Sequence, residues 1–446
     1  MPQSNALITG LGIVSPIGIG VDNFFQSLLD GRSGIRSLTE RTDDGAKPAT
    51  ERPDSGIWIG GPIVDFEPKQ YVRPRKALKV MCREIQTAFA AAQMSIDHAG
   101  MEECFPANLE GQMNPRMIGT VFGSEMFYGP PTEMVDAISG CLGEDGSIDA
   151  ARFGSAAMKN VMPLWMLKYL PNMPACQVGI ALNAQGPNNS LVVGDVSGPS
   201  ALMEAIGCLQ RGIADVMICG ATGTRINTTR INYRGDLPVP EVCDPIERSS
   251  RPHDPASVGV VGGEAAASLV IESEQSIQKR GGKPIARVVA FASRFVAAGT
   301  MGDPRRTDAI DCQRSSAKAI GLAIDAAMKD GDVGADQIGL VVSHGMGDPV
   351  TDAAERQAIS KTGLQNVPAV ATIASLGHTG AASGLVDLVT GALAILHTQI
   401  PPTFSSPGSS GDIHLPEQPQ PLQGRYVLCL SHTTSGNATA VILSAV

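Results

Sequence analysis

The stretch Leu191–Val192–Val193–Gly194–Asp195–Val196–Ser197–Gly198 decides how the rest of the chain is read. A short apolar run, with Ser190–Val193 as a candidate strand, breaks into glycine and small residues, and Ser200–Arg211 then shows helical periodicity. The pattern is strand, sharp turn, helix. In α/β proteins such a turn holds one side chain at a helix N-terminus, facing a crevice at the strand ends. Here that side chain is Asp195. A carboxylate in this place can simply cap the helix. A catalytic role would require a shifted pKa or a charged partner.

Working outward, the same alternation fills the chain. Ala6–Thr9 reads as a buried strand closed by a turn at Gly10 and Gly12, Asn23–Asp30 as a short helix, and residues 36–68 as surface loop. Ala77–His98 has helical periodicity, Met117–Phe122 reads as a strand, and residues 157–169 read as an apolar helix. Ala214–Cys219 and Ala265–Ile271 are strand-like. After a basic hinge at Lys279–Pro284 the order restarts. Strand Ala286–Phe291, helix Ser315–Lys329, strands Ile338–Val342 and Val370–Ile373, helix Ala381–His397 and strands Tyr426–Leu430 and Ala438–Leu443 follow. Strands alternating with longer helices predict an α/β protein, and the restart predicts two halves of similar order, 1–277 and 278–446.

Composition narrows the class. Of 446 residues, 43% are hydrophobic and 17% charged, which excludes a mainly disordered chain. Thirty-four basic residues against 44 acidic ones give a formal charge of −10, which argues against nucleic acid or an anionic membrane as partner. No apolar run is expected to reach the roughly 18 residues that span a bilayer. The N-terminal MPQSNALITGLG lacks the basic region and long apolar run of a secretory signal, so the expected compartment is the cytoplasm. Nine cysteines, odd in number and widely spaced with no Cys-x-x-Cys, argue against disulfides and structural zinc.

The remaining candidates lie at strand ends. His344, in Ser343–His344–Gly345–Met346–Gly347–Asp348, and His378, in Leu376–Gly377–His378–Thr379–Gly380, each follow a strand and sit among glycines. Such histidines can shuttle protons or donate to developing negative charge. Neither HxxxH nor HExxH occurs, so no metal is expected. Asp352 and Glu355 fall three apart on one face of a new helix. Glu264, between glycines and an apolar strand, suits backbone donors in a tight turn better than proton transfer. Lys69, Arg73, Arg75, Lys76, Lys79 and Arg83 crowd positive charge into 69–83, either as a solvated helix face or as a dock for an acidic partner. Arg225, Arg230 and Arg234 form a second basic set that could join it or serve elsewhere.

Taken in order, these segments resemble the β-ketoacyl-acyl-carrier-protein synthases of fatty-acid and polyketide synthesis, within the thiolase-like condensing enzymes. The resemblance runs nearly the whole length: Ile8–Thr9–Gly10–Leu11–Gly12–Ile13–Val14–Ser15–Pro16, Gly186–Pro187–Asn188, Ala214–Asp215–Val216–Met217, and Arg251–Pro252–His253–Asp254 leading to Gly263–Glu264. It continues through His344–Gly345–Met346–Gly347–Asp348–Pro349–Val350–Thr351–Asp352 with Glu355, then Gly377–His378, then Gly436–Asn437–Ala438. It implies a duplicated five-layer αβαβα fold of two pseudo-symmetric halves, a dimer, and a nucleophilic cysteine at a strand-to-helix elbow. It also implies two histidines that decarboxylate a malonyl thioester and stabilise the enolate, a lysine before the second, and a phenylalanine gating the acyl pocket. On this resemblance His344 and His378 take the histidine positions, and Asp352 and Glu355 match the acids that follow the first.

The departures gather at the chemistry. Asp195 fills the nucleophile position, Ile373 the lysine position, and Thr433 the gate, with Ser431 and His432 beside it. Ser257–Val258 replaces an arginine–aspartate pair. A thiolate accepts an acyl group as a reactive thioester, whereas a carboxylate is a weak nucleophile whose acylation gives a mixed anhydride. Ordinary condensation is therefore expected to fail. Cys176, nineteen residues before Asp195, and Cys208, thirteen after, are its nearest cysteines in sequence. The expected molecule is a ketosynthase homologue that handles phosphopantetheine-linked or coenzyme A-linked acyl groups without a further cofactor, decarboxylating malonyl thioesters or transferring acyl groups. The alternative is a non-catalytic, chain-length-factor-like subunit of an active ketosynthase. Expected partners are an acyl carrier protein and a second ketosynthase-fold chain, identical or paralogous.

Overall fold

The computed structural model describes residues 6–38, 41–42, 45–46, 59–102, 113–234, 240–297, 309–404 and 412–446. Cys104, much of the 36–68 loop, and the side chains of Arg234 and Cys312 lie outside what is described. The principal strands are β1 Ala6–Ser15, β2 Ile118–Gly123, β3 Asn188–Leu191, β4 Val216–Thr224, β5 Glu264–Ser273, β6 Ala286–Phe295, β7 Ile338–Ser343, β8 Ala369–Ala371, β9 Tyr426–His432 and β10 Asn437–Ser444. The principal helices are α1 Val21–Leu29, α2 Arg83–His98, α3 Met173–Leu182, α4 Ser197–Gln210, α5 Ala309–Gly331, α6 Pro349–Lys361 and α7 Ser383–His397.

In the N-terminal half the strands lie in the order β3-β2-β4-β5-β1, the first three parallel and the last two each antiparallel to its neighbour. The C-terminal half repeats both order and direction as β8-β7-β9-β10-β6. Every strand of the first half thus has its counterpart five strands later. β1 and β6 join the two sheets through Leu7–Arg287 and Ile8–Ala286.

Strand periodicity builds the layers. Val427, Cys429, Val441 and Leu443 face inward with α4 and α7, while Leu428, Leu430, Ala440 and Ile442 on the same strands face outward to α5 and α6. α2 and α3 cover the outer face of the first sheet. The result is the αβαβα stack. α7 is buried from Ser383 through Ile395, so it is packed on every side. With its leading turn it forms an apolar stretch, Gly380–His397, of 18 residues, long enough to cross a membrane, but 89% of it is buried inside the fold. The expectation that no run reaches this length fails at a core helix. Among the described residues no other helix meets that test.

Several local readings change for physical reasons. β1 does not turn at Gly10 and Gly12 but runs on to Ser15. A Cβ at either glycine would lie 2.0 Å from a carbonyl oxygen of α2, that of Ser95 or Ala91, so these glycines let helix and strand touch backbone to backbone. The apolar segment 157–169 divides into a helix, Phe153–Asn160, and a single turn, Trp165–Lys168. Trp165, Lys168 and Tyr169 all donate to Glu133, which ties that turn down. Strand β8 stops at Ala371, and Ile373 opens a helical turn instead of closing the strand.

Candidate active site

The loops leaving the parallel strands of both halves converge. β3 ends at Leu191, and Gly194 turns the chain with φ 70°, in the left-handed region where a side chain is strained. The Ser197 hydroxyl accepts from the Val193 amide (3.0 Å) and donates to the Gly194 carbonyl (2.6 Å), closing the elbow. Asp195 therefore stands just ahead of α4, with its carbonyl accepting from Ser431 Oγ at 3.0 Å. It does not cap the helix with its side chain. Its Oδ1 accepts from Arg225 Nη2 at 3.0 Å, and its Oδ2 lies 3.4 Å from His378 Nε2, an ion-pair separation.

Arg225 is buried, and its other arm is bonded to Glu125. Glu125 also accepts from the Thr224 amide (3.0 Å) and has Arg230 Nε at 3.9 Å. Arg225 and Arg230 are thus removed from any surface basic set. Arg225 comes directly off β4 and Arg230 from the helix Thr228–Arg234 after it, and both meet Glu125 in the interior.

The second half supplies imidazoles. His344 follows β7, His378 follows the turn after β8, and His432 closes β9, all three buried. The His344 ring lies 5.8 Å from that of His378 and 4.8 Å from that of His432, centre to centre. Glu355 on α6 anchors this end. It accepts from Ser343 Oγ (3.0 Å), the His344 amide (2.9 Å) and the Gly345 amide (2.9 Å), with His432 Nε2 at 3.2 Å. Asp352 accepts from the Met346, Gly347 and His253 amides at 2.7, 3.0 and 2.7 Å. The two acids shape the glycine loop that carries His344. Asp387 on α7 accepts from Thr372 Oγ1 at 2.7 Å, and its Oδ2 lies 3.9 Å from His344 Nδ1.

Burial alone would raise the Asp195 carboxyl, but His378 and the Arg225 guanidinium hold it well below the usual carboxylate range. Burial, helped by His432, pushes His344 down to about 4. His378 is lowered by burial against the pull of Asp195. Burial would also lower His432, yet its hydrogen bond to Glu355 raises it. At neutral pH the elbow carries a carboxylate facing two neutral imidazoles.

The other candidates fall around this centre. Ile373 is buried, and its carbonyl accepts from Ser250 Oγ at 2.7 Å. Thr433 Cγ2 lies 3.2 Å from where a Cβ on Gly194 would stand, so it sits against the elbow. Ser257 is tied to the Gly347 carbonyl at 2.7 Å. Glu264 accepts from the Ile63 amide (2.9 Å) and takes a forked pair from Arg83 (2.7–3.0 Å), away from the imidazoles. Lys69, Arg73, Arg75, Lys76 and Lys79 are exposed, whereas Arg83 is committed to Glu264. Sequence reasoning passed over Glu125, His253 as a partner of Asp352, and Asp387. Each comes from a different loop or helix and has no spacing signature.

Two family profiles match this chain: "Beta-ketoacyl synthase, N-terminal domain" over residues 4–276, and "Beta-ketoacyl synthase, C-terminal domain" over residues 297–406. The chain belongs to the β-ketoacyl synthase family. Among its relatives is the 3-oxoacyl-[acyl-carrier-protein] synthase 2 of Synechocystis sp., 27% identical over 91% of this chain and 88% of the relative. The synthase of the same name from Staphylococcus aureus is 26% identical over 98% of this chain and 100% of its own. Among solved structures, a β-ketoacyl synthase from Burkholderia phymatum superposes with TM-score 0.79 at 21% identity, over 100% of both chains. The ishigamide ketosynthase/chain length factor superposes with TM-score 0.77 at 22% identity, over 100% of this chain and 99% of that one.

Within this family the catalytic cysteine position is occupied by Asp195, so the ketosynthase site is altered where condensation begins. The neighbouring thiols do not replace it. Cys176 on α3 meets Asn172 and Asn188, Cys208 far along α4 meets Glu204 and Arg211, and Cys429 donates to the Asp387 carbonyl. Burial raises the Cys429 thiol well above its ordinary pKa, which disfavours the thiolate that acyl transfer needs.

Proposed function

We propose that this ketosynthase homologue is the non-condensing subunit of a pair, joined to a cysteine-bearing ketosynthase of fatty-acid or polyketide synthesis in the manner of a chain-length factor. The observation that carries the reading is the elbow. Asp195 is an ion-paired, buried carboxylate fastened by Arg225, itself fastened by Glu125, where an acyl thioester would have to form. A carboxylate so held is a poor nucleophile, and its charge repels an incoming malonyl group. The full-length likeness to a ketosynthase/chain length factor supports the reading. So does the outer edge of β3, which ends its sheet, with Val192 and Val193 exposed just beyond it. The acyl groups would be linked to phosphopantetheine or coenzyme A. An acidic carrier protein would dock on Lys69, Arg73, Arg75, Lys76 and Lys79.

One observation favours a second reading, decarboxylation of malonyl thioesters. His344 and His378 are aimed at the same centre, and among the described residues their ring nitrogens have no hydrogen-bond partner, which suits N–H groups that meet a developing enolate oxygen. One experiment separates the two. Co-expression with a cysteine-bearing paralogue from the same source should give a stable one-to-one heterodimer, and the chain purified alone should release no carbon dioxide from malonyl-carrier protein. A stable homodimer whose release falls sharply in His344→Ala would overturn the partner reading in favour of the second.

A further inference from the structure

Asp195 arrives from a loop of the first half and His344 and His378 from two loops of the second, yet each offers one ligand atom within 4.8 Å of the other two. The Asp195 Oδ2 to His378 Nε2 separation of 3.4 Å is close to the roughly 3.3 Å between two ligands on a tetrahedral ion with bonds of about 2.0 Å. A second observation points to a ligand. Both ring nitrogens of His344 and both of His378 are buried without a hydrogen-bond partner among the described residues. Imidazoles so placed have forfeited hydration, and the carboxylates of Asp195 at 3.4 Å and Asp387 at 3.9 Å return no aligned hydrogen bond. A metal ion is a partner that takes their lone pairs.

The surroundings are arranged for such an ion. Arg225 occupies Oδ1 of Asp195 and leaves Oδ2 facing His378. The Arg225 charge is answered by Glu125, so it does not confront a cation alone. Asp387 Oδ2 is also unpartnered and lies 3.9 Å from His344 Nδ1. A carboxylate there fixes the tautomer that leaves Nε2 to coordinate, the usual outer support of a metal-binding histidine. The residue five before His378 is the apolar Ile373, which brings no ammonium to compete.

We propose that Asp195, His344 and His378 bind one divalent first-row cation of the zinc class, with water in the remaining positions. Two imidazoles and one carboxylate suit zinc, cobalt or iron(II) and disfavour magnesium or calcium, which call for oxygen ligands. The substitution that removes the thiol nucleophile thereby completes a two-histidine, one-carboxylate donor set. The proposal concerns binding alone and stands whether or not the chain turns over a thioester.

The test is made on the full-length protein. After dialysis against a weak chelator, zinc is titrated in competition with a chromogenic indicator, and cobalt(II) is added in parallel to record its visible spectrum. One equivalent per chain with submicromolar affinity is expected, with a cobalt spectrum of nitrogen and oxygen ligands. Asp387→Asn should weaken binding by roughly tenfold, and the near-isosteric Asp195→Asn and the variant His378→Ala should weaken it further. His397→Ala, on the far end of α7, should leave it unchanged. The proposal falls if the wild-type protein binds no stoichiometric zinc. It falls equally if Asp195→Asn binds as tightly as wild type, or if cobalt shows the intense sulfur charge-transfer band of a cysteine site. The wild-type titration and spectrum decide the matter even if a variant fails to fold.

Discussion

The two halves deliver different chemistry to equivalent places. β2 leads to Ser124–Glu125 and β7 to Ser343–His344, β4 leads to Arg225 and β9 to His432–Thr433, and β3 leads to Asp195 where β8 leads to Ile373 and His378. The first half ends in fixed charges that answer one another, Asp195 to Arg225 to Glu125. The second ends in imidazoles, with the glycine loop that carries His344 held by Glu355 and Asp352. A duplicated sheet dictates where side chains arrive but not what they are. Here the first half fills the elbow with an ion pair, while the second half faces it with buried histidines.

The strongest way to break this contrast is Arg225→Met. Removing the guanidinium leaves the buried Asp195 and Glu125 carboxylates without the cation they share, a change that typically costs about 3–5 kcal/mol. Urea unfolding should show the loss. Adding Asp195→Asn and Glu125→Gln should recover most of it, because the charges then vanish together. If the triple variant is no more stable than Arg225→Met alone, the first half is held by packing and not by its charges.

Much of this was legible in the sequence. The αβ alternation, the restart near residue 280 and the elbow before Ser197 all have local signals, in hydrophobic period and glycine placement. His344, His378 and Asp195 could each be picked out by their glycine-rich strand ends. Their meeting could not, because it depends on loops from opposite halves crossing one crevice. Arg225 misled for a related reason. A charge on a short segment reads as surface, and its acids, Glu125 a hundred residues earlier and Asp195 from another loop, explain why it is buried. Gly10 and Gly12 misled because a glycine needed for close approach looks the same in sequence as one needed for a turn.

A subtler effect tests whether the first half tolerates an acid that has no cation of its own. Glu84, at the start of α2, is buried, which pushes its carboxyl up to about 7; Glu264 and Glu125 add to this, and Cys82 opposes it. Tyr169 also faces it, and neighbouring Arg83 is spent on Glu264. The unfolded chain releases this proton near pH 4.5 and the folded chain only near 7, so the unfolded state binds fewer protons between them. Stability should accordingly fall as pH rises through that window, by about 3 kcal/mol at 1.36 kcal/mol per unit. Glu84→Gln should flatten the profile and gain on wild type above pH 7. Parallel pH profiles for the two proteins would show that Glu84 ionises as easily folded as unfolded.

The smallest effect sharpens the distinction between charge that is spent and charge that is free. Lys76 and Lys79 are exposed, and among the described residues no acid ties them down as Glu264 ties Arg83. If the basic run docks an acidic carrier protein, reversing both to Glu should weaken carrier binding by about tenfold, or about 1.4 kcal/mol, chiefly through a slower on-rate. The effect should grow at low salt, because screening shrinks as the Debye length lengthens. Arg83→Gln should do the opposite: it leaves carrier affinity nearly unchanged and costs fold stability by stranding Glu264, which then keeps only the Ile63 amide among these partners. Surface plasmon resonance at two salt concentrations, beside urea unfolding of the same variants, reads both quantities. Should Arg83→Gln weaken the carrier as much as the double reversal, the buried fork and the exposed lysines belong to one docking surface, and the line drawn between them is wrong.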